Sequence, residues 1–410
     1  MNKFVANYVS GINRAIYEEL CGASYLCTKK LNIIKESNSL VIPPKNPKLG
    51  KEANPSGALF GSGGVVDEDG LYVELSGQIA KNMKQRVGEV PRYDGEYKTV
   101  HEKVIYMNFF IKQWGHYLLD VVGRLWYALE DSKTKIVYTC YQGEKEEITG
   151  NYLELLELLG IDRKRLVMIN EPTKFDEVII PESAILPGEY YTKEYKRIFD
   201  TVVQNAKIEP MIEGKKVYCS RTKLDKASKS EFGEEIIEKN LNDNGYLSVY
   251  MEKMTLTEQI RLLNSAECIA MLSVSLSHNL LFVRNQNKTF IFNKTYRVNL
   301  HQFLINEISS SKCYFIDIFV SPLPVLYGYG PFIVRATKEF EDFAKDNEVE
   351  VKHSKKRVPL LLRMKYYIIY LWRYKRFIIE RKKIQETSNK KFEPSFKLIR
   401  KYYKEYISHV

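Results

Sequence analysis

Lys216-Val-Tyr-Cys-Ser-Arg-Thr222 lies at the start of residues 215–292, the segment that indicates the fold class most clearly. Short apolar runs alternate in it with segments whose apolar residues recur at helical spacing. The runs predict strands at 216–219, 247–250, 268–272 and 290–292, and the spacing predicts helices at 232–244, 256–264 and 276–283. Alternating strands and helices are typical of a doubly wound layer with a parallel sheet.

The sequence before residue 210 alternates in the same way. Strands are expected at 104–107, 135–138, 165–169 and 175–180, and helices at 114–129, 152–159 and 192–206. Earlier still, the Gly-rich run at 61–70 and the residues 71–75 predict a strand, a turn and a second strand. We therefore expect an α/β protein with a GT-B-like arrangement, in which two Rossmann-like domains face a cleft that binds a small ligand. The expected domains are 1–210, 211–345 and a basic, aromatic, helical tail at 346–410.

Positive charge is concentrated in this tail. Residues 355–410 hold 17 Lys and Arg against 4 Asp and Glu, whereas the whole chain has a net charge of +11. The remainder of the chain is therefore close to neutral. An enzyme that acts on nucleic acid more often spreads positive charge around its cleft, so no nucleic-acid partner is expected.

The tail mixes apolar and basic residues between positions 358 and 379. Arg363, Lys365 and Arg373 interrupt the apolar run, so a membrane span is not expected, and residues 1–20 lack the apolar core of a signal peptide. The mixture predicts a helix that lies in the interface of an anionic bilayer, with tyrosine and tryptophan at headgroup depth. Two alternatives stay open: a helix packed across both domains with a solvated basic face, and an RNA-binding tail.

Metal and disulfide chemistry are not expected. The 6 cysteines include no CxxC pair and no Cys/His cluster with zinc spacing, which favours free thiols. Asp67-Glu-Asp69 forms a DxD pattern, but it lies in a Gly-rich turn, where acidic residues are favoured for turn geometry. Gly61-Ser-Gly-Gly64 lacks the lysine of a P-loop. The sequence thus predicts a protein that works without a metal or another cofactor.

Polar residues follow the predicted strands of the second domain, at the edge that faces the ligand crevice in open α/β sheets. Arg221 could bind a diphosphate in a bidentate way, or form an exposed salt bridge with a residue such as Asp225. Glu252 could hold ribose hydroxyls, or be a solvated loop acid. The loop before the helix at 276–283 could offer backbone N–H groups to a phosphate, or cap the helix with serine. The candidate binding residues of this loop are Ser273, Ser275, Ser277, His278 and Asn279.

A second polar cluster is expected on the helix at 114–129. His116, Asp120 and Arg124 are four residues apart and share one helical face. Asp120 is the first candidate for a general base, and His116 is either the second candidate or the group that orients it. Asn108 and Arg124 are expected to support them. A buried hydrogen-bonded network that joins helix and sheet is the alternative.

Several of these segments, taken together and in order, resemble glycosyltransferase family 61, in particular its bacterial branch linked to capsular and surface polysaccharides and related to EGF-domain O-GlcNAc transferase and plant xylan-decorating enzymes. The resemblance covers about 61–292. Its main segments are Trp114-Gly-His-Tyr-Leu-Leu-Asp-Val-Val-Gly-Arg-Leu125, Lys216-Val-Tyr-Cys-Ser-Arg-Thr222, Met254-Thr-Leu-Thr-Glu-Gln-Ile-Arg-Leu-Leu-Asn-Ser-Ala266 and Ser273-Val-Ser-Leu-Ser-His-Asn-Leu-Leu-Phe282.

The resemblance implies a GT-B glycosyltransferase that moves a sugar from a nucleotide-sugar donor, expected to be UDP-linked, to a hydroxyl of a glycan acceptor, with inversion at the anomeric carbon. An enzyme of surface polysaccharide synthesis is expected in the cytoplasm, held at the inner face of the cell membrane by its tail, where a lipid-linked acceptor would lie. Val274 stands where many family members have glycine, and a β-branched residue does not readily adopt φ > 0. This departure keeps a second hypothesis open, an inactive family member that serves as a scaffold for polysaccharide assembly.

Overall fold

The computed structural model describes residues 4–11, 13–49, 54–80, 84–90, 92–209, 211, 214–323, 330–353 and 359–387. The part of the expected tail from residue 388 onward lies outside the described residues. Over the described residues the strands are β1 (Phe4–Tyr8), β2 (Ile33–Ser37), β3 (Leu40–Ile42), β4 (Gly64–Val66), β5 (Gln78–Ala80), β6 (Lys84–Val87), β7 (Lys98–Phe109), β8 (Lys135–Thr139), β9 (Leu166–Ile169), β10 (Thr173–Pro181), β11 (Ile185–Leu186), β12 (Tyr190–Tyr191), β13 (Lys216–Cys219), β14 (Glu231–Phe232), β15 (Tyr246–Val249), β16 (Cys268–Leu272), β17 (Lys288–Asn293), β18 (Lys312–Asp317), β19 (Phe319–Val320) and β20 (Phe332–Val334).

The α-helices of the same residues follow the spacing of the apolar side chains. They are α1 (Asn13–Gly22), α2 (Trp114–His116), α3 (Asn151–Leu158), α4 (Lys193–Asn205), α5 (Asp225–Ser228), α6 (Glu234–Asn242), α7 (Leu256–Ser265), α8 (Leu300–Ile308), α9 (Lys338–Asp346) and α10 (Leu360–Thr387).

Two compact units divide the chain. The N-unit is Tyr25–Ala206, and the C-unit combines Met1–Ser24 with Lys207–Lys383. The expected boundary at 210 lies close to the start of the second part of the C-unit. The expected placement of residues 1–24 in the first domain differs from the structure, because β1 pairs in parallel with β18 and thereby becomes the edge strand of the C-unit sheet.

The C-unit is built on a parallel sheet whose described strands run in the order β1-β18-β17-β16-β13-β15. Every residue of β16 is buried, as expected for a parallel strand that is covered on both faces. Side chains of β17, α6 and α9 form one cluster of its core, including Phe290, Phe292, Ile237, Leu241 and Phe343.

The order of these strands contains a reversal at β13. The chain passes from β13 to its neighbour β15 and then returns past β13 to β16, β17 and β18 on the other side. The carboxyl ends of β13 and β16 therefore frame a topological switch point, and ligands of open α/β sheets bind at such points.

The N-unit contains a mixed sheet. Its described strands run in the order β4-β3-β10-β7-β8-β9, and β2 also pairs with β10. The pairs among β10, β7, β8 and β9 are parallel, whereas β2, β3 and β4 add antiparallel pairs. The register between β7 and β8 shifts between Tyr106 and Asn108. Such an irregularity redirects side chains and often lies beside a functional site.

The expected α/β class with parallel sheets is confirmed, and the GT-B-like arrangement stays a prediction. Three local expectations differ from the structure. The residues after Gly70 form a single bridge between Val66 and Tyr72 and a 3₁₀ turn at Glu74–Ser76 instead of a second strand. The helix expected at 276–283 is a 3₁₀ helix, Ser275–Phe282.

The third difference lies in the helix expected at 114–129. It is irregular: α2 is followed by a π turn, Tyr117–Val121, and then by short 3₁₀ turns. Gly123 lies in this segment, where it weakens helix propensity and where a Cβ would come within 2.5 Å of the hydroxyl of Ser183. Single π turns inside helices are frequent at functional sites.

The tail helix α10 packs on the C-unit through one face. Tyr366 and Tyr370 are buried in a cluster with Phe232 of β14 and Ile333 of β20. Another face, which we call the apolar strip, leaves large side chains exposed at helical spacing. The apolar strip consists of Leu360, Leu361, Met364, Ile368, Leu371 and Trp372.

Candidate functional site

Arg221 lies just beyond the carboxyl end of β13, and its guanidinium is held by a carboxylate. Arg221 Nη1 donates a hydrogen bond to Oε2 of Glu231 over 2.5 Å. The two side chains are only 16% and 10% exposed. The salt-bridge partner of Arg221 is therefore Glu231 of β14 and not Asp225, and the pair is largely buried rather than exposed.

Lys294 joins the same carboxylate from a different strand. Its Nζ lies 2.9 Å from Oε1 of Glu231, and its side chain is 12% exposed. Lys294 is the residue directly after β17, as Arg221 comes soon after β13. Sequence reasoning missed it, although Lys294 follows the predicted strand at 290–292 by two residues, just as Arg221 follows the predicted strand at 216–219.

The charges of this cluster are coupled. Burial alone would raise the pKa of Glu231, but Lys294 and Arg221 together lower it. Burial lowers the pKa of Lys294, and the carboxylate of Glu231 opposes that effect. Burial also raises the pKa of Glu234 to about 7, although the backbone N–H of Arg221 stabilises its carboxylate over 2.7 Å. Two cations thus share one firmly ionised carboxylate.

A pocket opens beside this cluster. Its volume is about 250 Å³, enough for a small group such as a phosphate, and side chains of β14 and of the loop after β13 form its wall. The residues that line it are Arg221, Thr222, Ala227, Glu231, Phe232, Glu234 and Glu235.

The loop after β16 lies at the switch point, and its residues fall into two groups. Ser273 and Ser275 are half-buried. Ser277, His278 and Asn279 are buried, and two of them serve the packing of the turn. The hydroxyl of Ser277 is 2.6 Å from Oε1 of Gln302, and Asn279 Nδ2 donates to Oε1 of Gln259 over 2.6 Å. Ser273 and Ser275 are therefore the better placed of the expected donor-binding residues.

Val274 has extended backbone, with φ −147° and ψ −176°. Valine adopts this conformation readily, and its side chain packs against the core of the C-unit. The concern that a β-branched residue would resist φ > 0 at this position does not apply to this conformation.

Glu252 is exposed in a 3₁₀ turn, Met251–Lys253, that follows β15. Because β15 is the edge strand beside β13, Glu252 is one strand away from the switch point. The neighbouring Tyr250 donates its hydroxyl to Glu238 over 3.0 Å, and Thr222 donates to the same carboxylate over 2.8 Å. Glu238 thus ties together the loops after β13 and β15.

His116 and Asp120 of the N-unit form a hydrogen-bonded pair. Nδ1 of His116 lies 2.5 Å from Oδ2 of Asp120, and Arg86 Nε lies 3.5 Å from the other carboxylate oxygen. The side chain of Asp120 is only 2% exposed, whereas that of His116 is 24% exposed. An ionised carboxylate at Nδ1 selects the tautomer in which Nε2 carries a lone pair. This geometry favours His116 as the base and Asp120 as the residue that orients it.

Arg124 and Asn108 hold the backbone around this pair. Arg124 Nη1 donates to Oδ1 of Asn108, and Asn108 Nδ2 donates to the carbonyl oxygen of Asp120 over 3.1 Å. The remaining Arg124 donors reach the carbonyl oxygens of Leu75, Gly77 and Pro181. Arg124 and Asn108 thus form a buried hydrogen-bonded network around the pair, and the supporting role expected for them stays a prediction. Sequence reasoning missed Arg86, which lies in β6, far from Asp120 in the chain.

Aromatic rings surround His116. The ring of Phe60 lies perpendicular to it, with centroids 5.6 Å apart. Phe60 also contacts Phe109, which contacts Tyr141 at 4.9 Å. Phe60 and Tyr141 are half-buried, whereas Phe109 is buried between them. Half-exposed aromatic rings beside a base provide the apolar surface on which a sugar ring can rest.

The DxD pattern at Asp67 has a structural role. Oδ1 of Asp67 accepts the backbone N–H groups of Asp69 and Leu71, over 3.0 and 2.8 Å. This agrees with the expected turn geometry. Among the described residues, no group of three or more His, Cys, Asp or Glu side chains is arranged to hold a metal ion.

Comparison with known proteins identifies a family for the segment that holds these groups. The sequence model of Glycosyltransferase 61 matches residues 114–291, which include His116, Asp120, Arg221 and the loop after β16. No curated protein matches the chain.

Solved structures were compared as well. One match is the bacterial iron-containing dodecameric glycosyltransferase TibC from enterotoxigenic E. coli, at 13% identity and a TM-score of 0.29, over 75% of this chain and 86% of that one. Another is dodecameric iron-containing heptosyltransferase TibC in complex with ADP-D-beta-D-heptose, at 12% identity and a TM-score of 0.29, with the same coverage. A TM-score of 0.29 is too low to support a conclusion about this chain.

Proposed function

We propose that this chain, whose residues 114–291 form a glycosyltransferase family 61 domain, transfers a sugar from a nucleotide-sugar donor to a hydroxyl of a glycan acceptor. We expect the donor to be UDP-linked and the anomeric centre to be inverted. The main support for a nucleotide-sugar donor is the switch point of the C-unit sheet. Arg221 and the loop that begins at Ser273 follow the two strands that frame it. Open α/β sheets bind nucleotides at this position.

The proposed reaction is a single displacement. Nε2 of His116 takes the proton of the acceptor hydroxyl while the oxygen of that hydroxyl bonds to the anomeric carbon of the donor. The bond between this carbon and the diphosphate breaks, and its electron pair leaves with the diphosphate. One displacement inverts the anomeric centre. Asp120 orients His116 and stabilises the imidazolium that forms, and Arg221 binds the diphosphate as its negative charge grows.

The competing hypothesis is an inactive family member that serves as a scaffold. It was motivated by Val274, and the extended backbone of Val274 removes that motive. A scaffold would also have no need for a histidine whose tautomer is set by a buried carboxylate. We therefore favour an active enzyme of surface or capsular polysaccharide synthesis.

The test of this function is a panel of UDP-, CDP- and GDP-sugars with release of nucleoside diphosphate as the readout. We expect release with at least one donor, and a thermal shift with the matching nucleoside diphosphate. Absence of both release and thermal shift across the panel would reject the enzyme and leave the scaffold.

We further propose that α10 binds the anionic inner face of the cell membrane, where a lipid-linked acceptor would lie. Within the described residues no helix is long and apolar enough to cross a bilayer. The apolar strip is exposed on a helix that also carries exposed Arg363, Lys365 and Lys375. Apolar side chains beside Lys and Arg are the combination that binds an anionic interface.

Deleting α10 would be a poor test, because Tyr366 and Tyr370 are part of the C-unit core. A better test is a variant with serine in place of four residues of the apolar strip that are 62–81% exposed: Leu361, Ile368, Leu371 and Trp372. We expect this variant to lose at least about tenfold in affinity for phosphatidylserine vesicles, since each large apolar side chain contributes roughly 1 kcal/mol or more on insertion. Leu71→Ser, at an exposed leucine of the N-unit, is the matched control. Equal binding by both variants would contradict the proposal.

A further inference from the structure

Glu231 brings together two cations that the sheet keeps apart. In the strand order β16 lies between β13 and β17, so Arg221 and Lys294 come from strands that are not neighbours. Both reach the same carboxylate, Arg221 at Oε2 and Lys294 at Oε1. Because parallel strands are about 4.8 Å apart, this bridge crosses the carboxyl end of β16, where the loop of Ser273 begins.

Each cation keeps donors beyond the one that it gives to Glu231. Arg221 presents five N–H donors, and within the described residues the structure gives its guanidinium one hydrogen bond. Lys294 has three donors, and one hydrogen bond of its Nζ, to Glu231, is seen there. The ring of Phe332, 4.2 Å from the same Nζ, covers one side of it. The carboxylate of Glu231 thus holds the guanidinium of Arg221 and the ammonium of Lys294 in place. Both groups keep donors that can bind a further anion.

The charge of the cluster favours such an anion. While Glu234 is neutral, below its pKa of about 7, Arg221 and Lys294 exceed the ionised carboxylate of Glu231 by one positive charge. The side chains of Arg221, Lys294 and Glu231 are at most 16% exposed. A largely buried, uncompensated positive charge is unfavourable unless it gains a partner. The pocket beside Arg221 has room for that partner. Glu231, Glu234 and Glu235 also line it, and Lys294 adjoins it through its contact with Glu231.

We propose that Lys294 is a second cation of the donor site, which binds the diphosphate together with Arg221 and stabilises it as the leaving group. This inference rests on the proposed glycosyl transfer. When the bond from the anomeric carbon to the diphosphate breaks, the leaving oxygen gains a full negative charge. Cations that are held in place beside this position need no reorganisation as the charge appears. Glu231 is the positioning residue, because it touches both cations and not the reacting atoms.

The experiment measures binding of inorganic pyrophosphate by calorimetry, which does not require turnover. Lys294→Met is expected to weaken binding by about tenfold or more, since a charge-assisted hydrogen bond is lost. Lys294→Arg keeps the charge and is expected to bind within about threefold of the unmutated protein. Lys288→Met is the matched control, because Lys288 is exposed and lies at the opposite end of the same strand. It is expected to have no effect.

The outcomes separate this inference from the proposed function. Unchanged binding in Lys294→Met, together with a loss in Arg221→Met, would reject the role of Lys294 and leave the donor site intact. Unchanged binding in both would reject the donor site itself. Should Lys294→Met fail to fold, acetylation of the unmutated protein gives a second readout. Pyrophosphate is expected to slow acetylation of Lys294 and not of Lys288. An acetylation rate of Lys294 that pyrophosphate leaves unchanged would overturn the inference.

The same cluster predicts a pH dependence through Glu234, whose pKa burial raises to about 7. Its carboxylate accepts from Tyr218 and from the backbone of Arg221, and it lies beside Glu231. Below its pKa Glu234 is neutral, and above it Glu234 adds a negative charge that opposes anion binding. The quantity to compare is the pyrophosphate affinity of the unmutated protein divided by that of Glu234→Gln, because this ratio cancels the titration of pyrophosphate itself. The ratio is expected to fall about three- to tenfold between about pH 6 and pH 8. A constant ratio would contradict the placement of the anion at this cluster.

Discussion

Replacing His116 by asparagine is expected to lower kcat by about 10²- to 10⁴-fold, the usual contribution of a general base. Asparagine cannot accept the proton of the acceptor hydroxyl at neutral pH. The dissociation constant of UDP is expected to stay within about twofold, because the proposed donor-binding residues lie in the C-unit and a base contributes to the transition state rather than to ground-state binding. Initial rates with saturating donor, together with calorimetry of UDP binding, measure both quantities.

A second histidine of the N-unit provides the control for this experiment. His101 also contacts an aspartate, Asp176, with Nδ1 3.0 Å from Oδ1, but the two side chains are 83% and 55% exposed. His101→Asn is expected to leave kcat unchanged. This control tests whether the loss of kcat is specific to the buried His116–Asp120 pair or follows from breaking any His–Asp contact in the N-unit.

Asp120→Asn distinguishes the two possible roles within the pair. If Asp120 orients His116, the asparagine amide can donate to Nδ1 and favour the wrong tautomer, so that kcat falls by a large factor while UDP binding stays intact. If Asp120 were itself the base, His116→Asn would retain much of its turnover. Substantial activity in His116→Asn and none in Asp120→Asn would therefore reverse the assignment.

Replacing Arg124 by methionine is expected to destabilise the N-unit by about 3 kcal/mol or more, because several largely buried acceptors lose their donor. Arg124 is 2% exposed and donates to Asn108 and to the carbonyl oxygens of Leu75, Gly77 and Pro181. Methionine would leave these acceptors buried without a donor, and each such group costs about 1–3 kcal/mol. Burial lowers the pKa of Arg124, but a guanidinium stays charged at any pH of interest, so the loss is expected to be independent of pH.

Urea unfolding of the full chain measures this loss. Of the 3 tryptophans, Trp114 and Trp126 belong to the N-unit and Trp372 to the C-unit, so fluorescence reports chiefly on the N-unit. Arg197→Met is the matched control, since Arg197 is 51% exposed and makes an ion pair of 3.4 Å with Glu130. Its expected effect is below about 1 kcal/mol. A loss of similar size in both variants would show that Arg124 does not hold the site together.

Features that depend on local spacing were predictable from the sequence. Continuous apolar runs such as β16 can only be buried strands or helices, and their alternation with amphipathic segments leads to a parallel sheet. The contact of His116 with Asp120 follows from their separation by four residues, which a helical turn brings together. Arg221 follows the end of its strand, so its place at the carboxyl edge of the sheet is also a local property.

The partners of these residues were not predictable, because they come from positions far away in the chain. Arg86 contacts Asp120 from 34 residues upstream, and Lys294 meets Arg221 only through Glu231. No spacing rule links such positions, and only the strand order decides which loops meet at one edge. The pairing of β1 with β18 is of the same kind, because it joins Phe4 to Cys313, far away in the chain.

The α/β class, the positions of Arg221 and Ser273 after strand ends and the His116–Asp120 pair thus follow from the sequence, since they depend on periodicity along a single segment. The roles of these residues depend on the tertiary structure. Burial of Asp120 beside a half-exposed His116 favours histidine as the base, and the sharing of Glu231 makes Lys294 a partner of Arg221. Solvent exposure and charge compensation depend on which residues pack together, so they cannot be predicted from the spacing of residues along the chain.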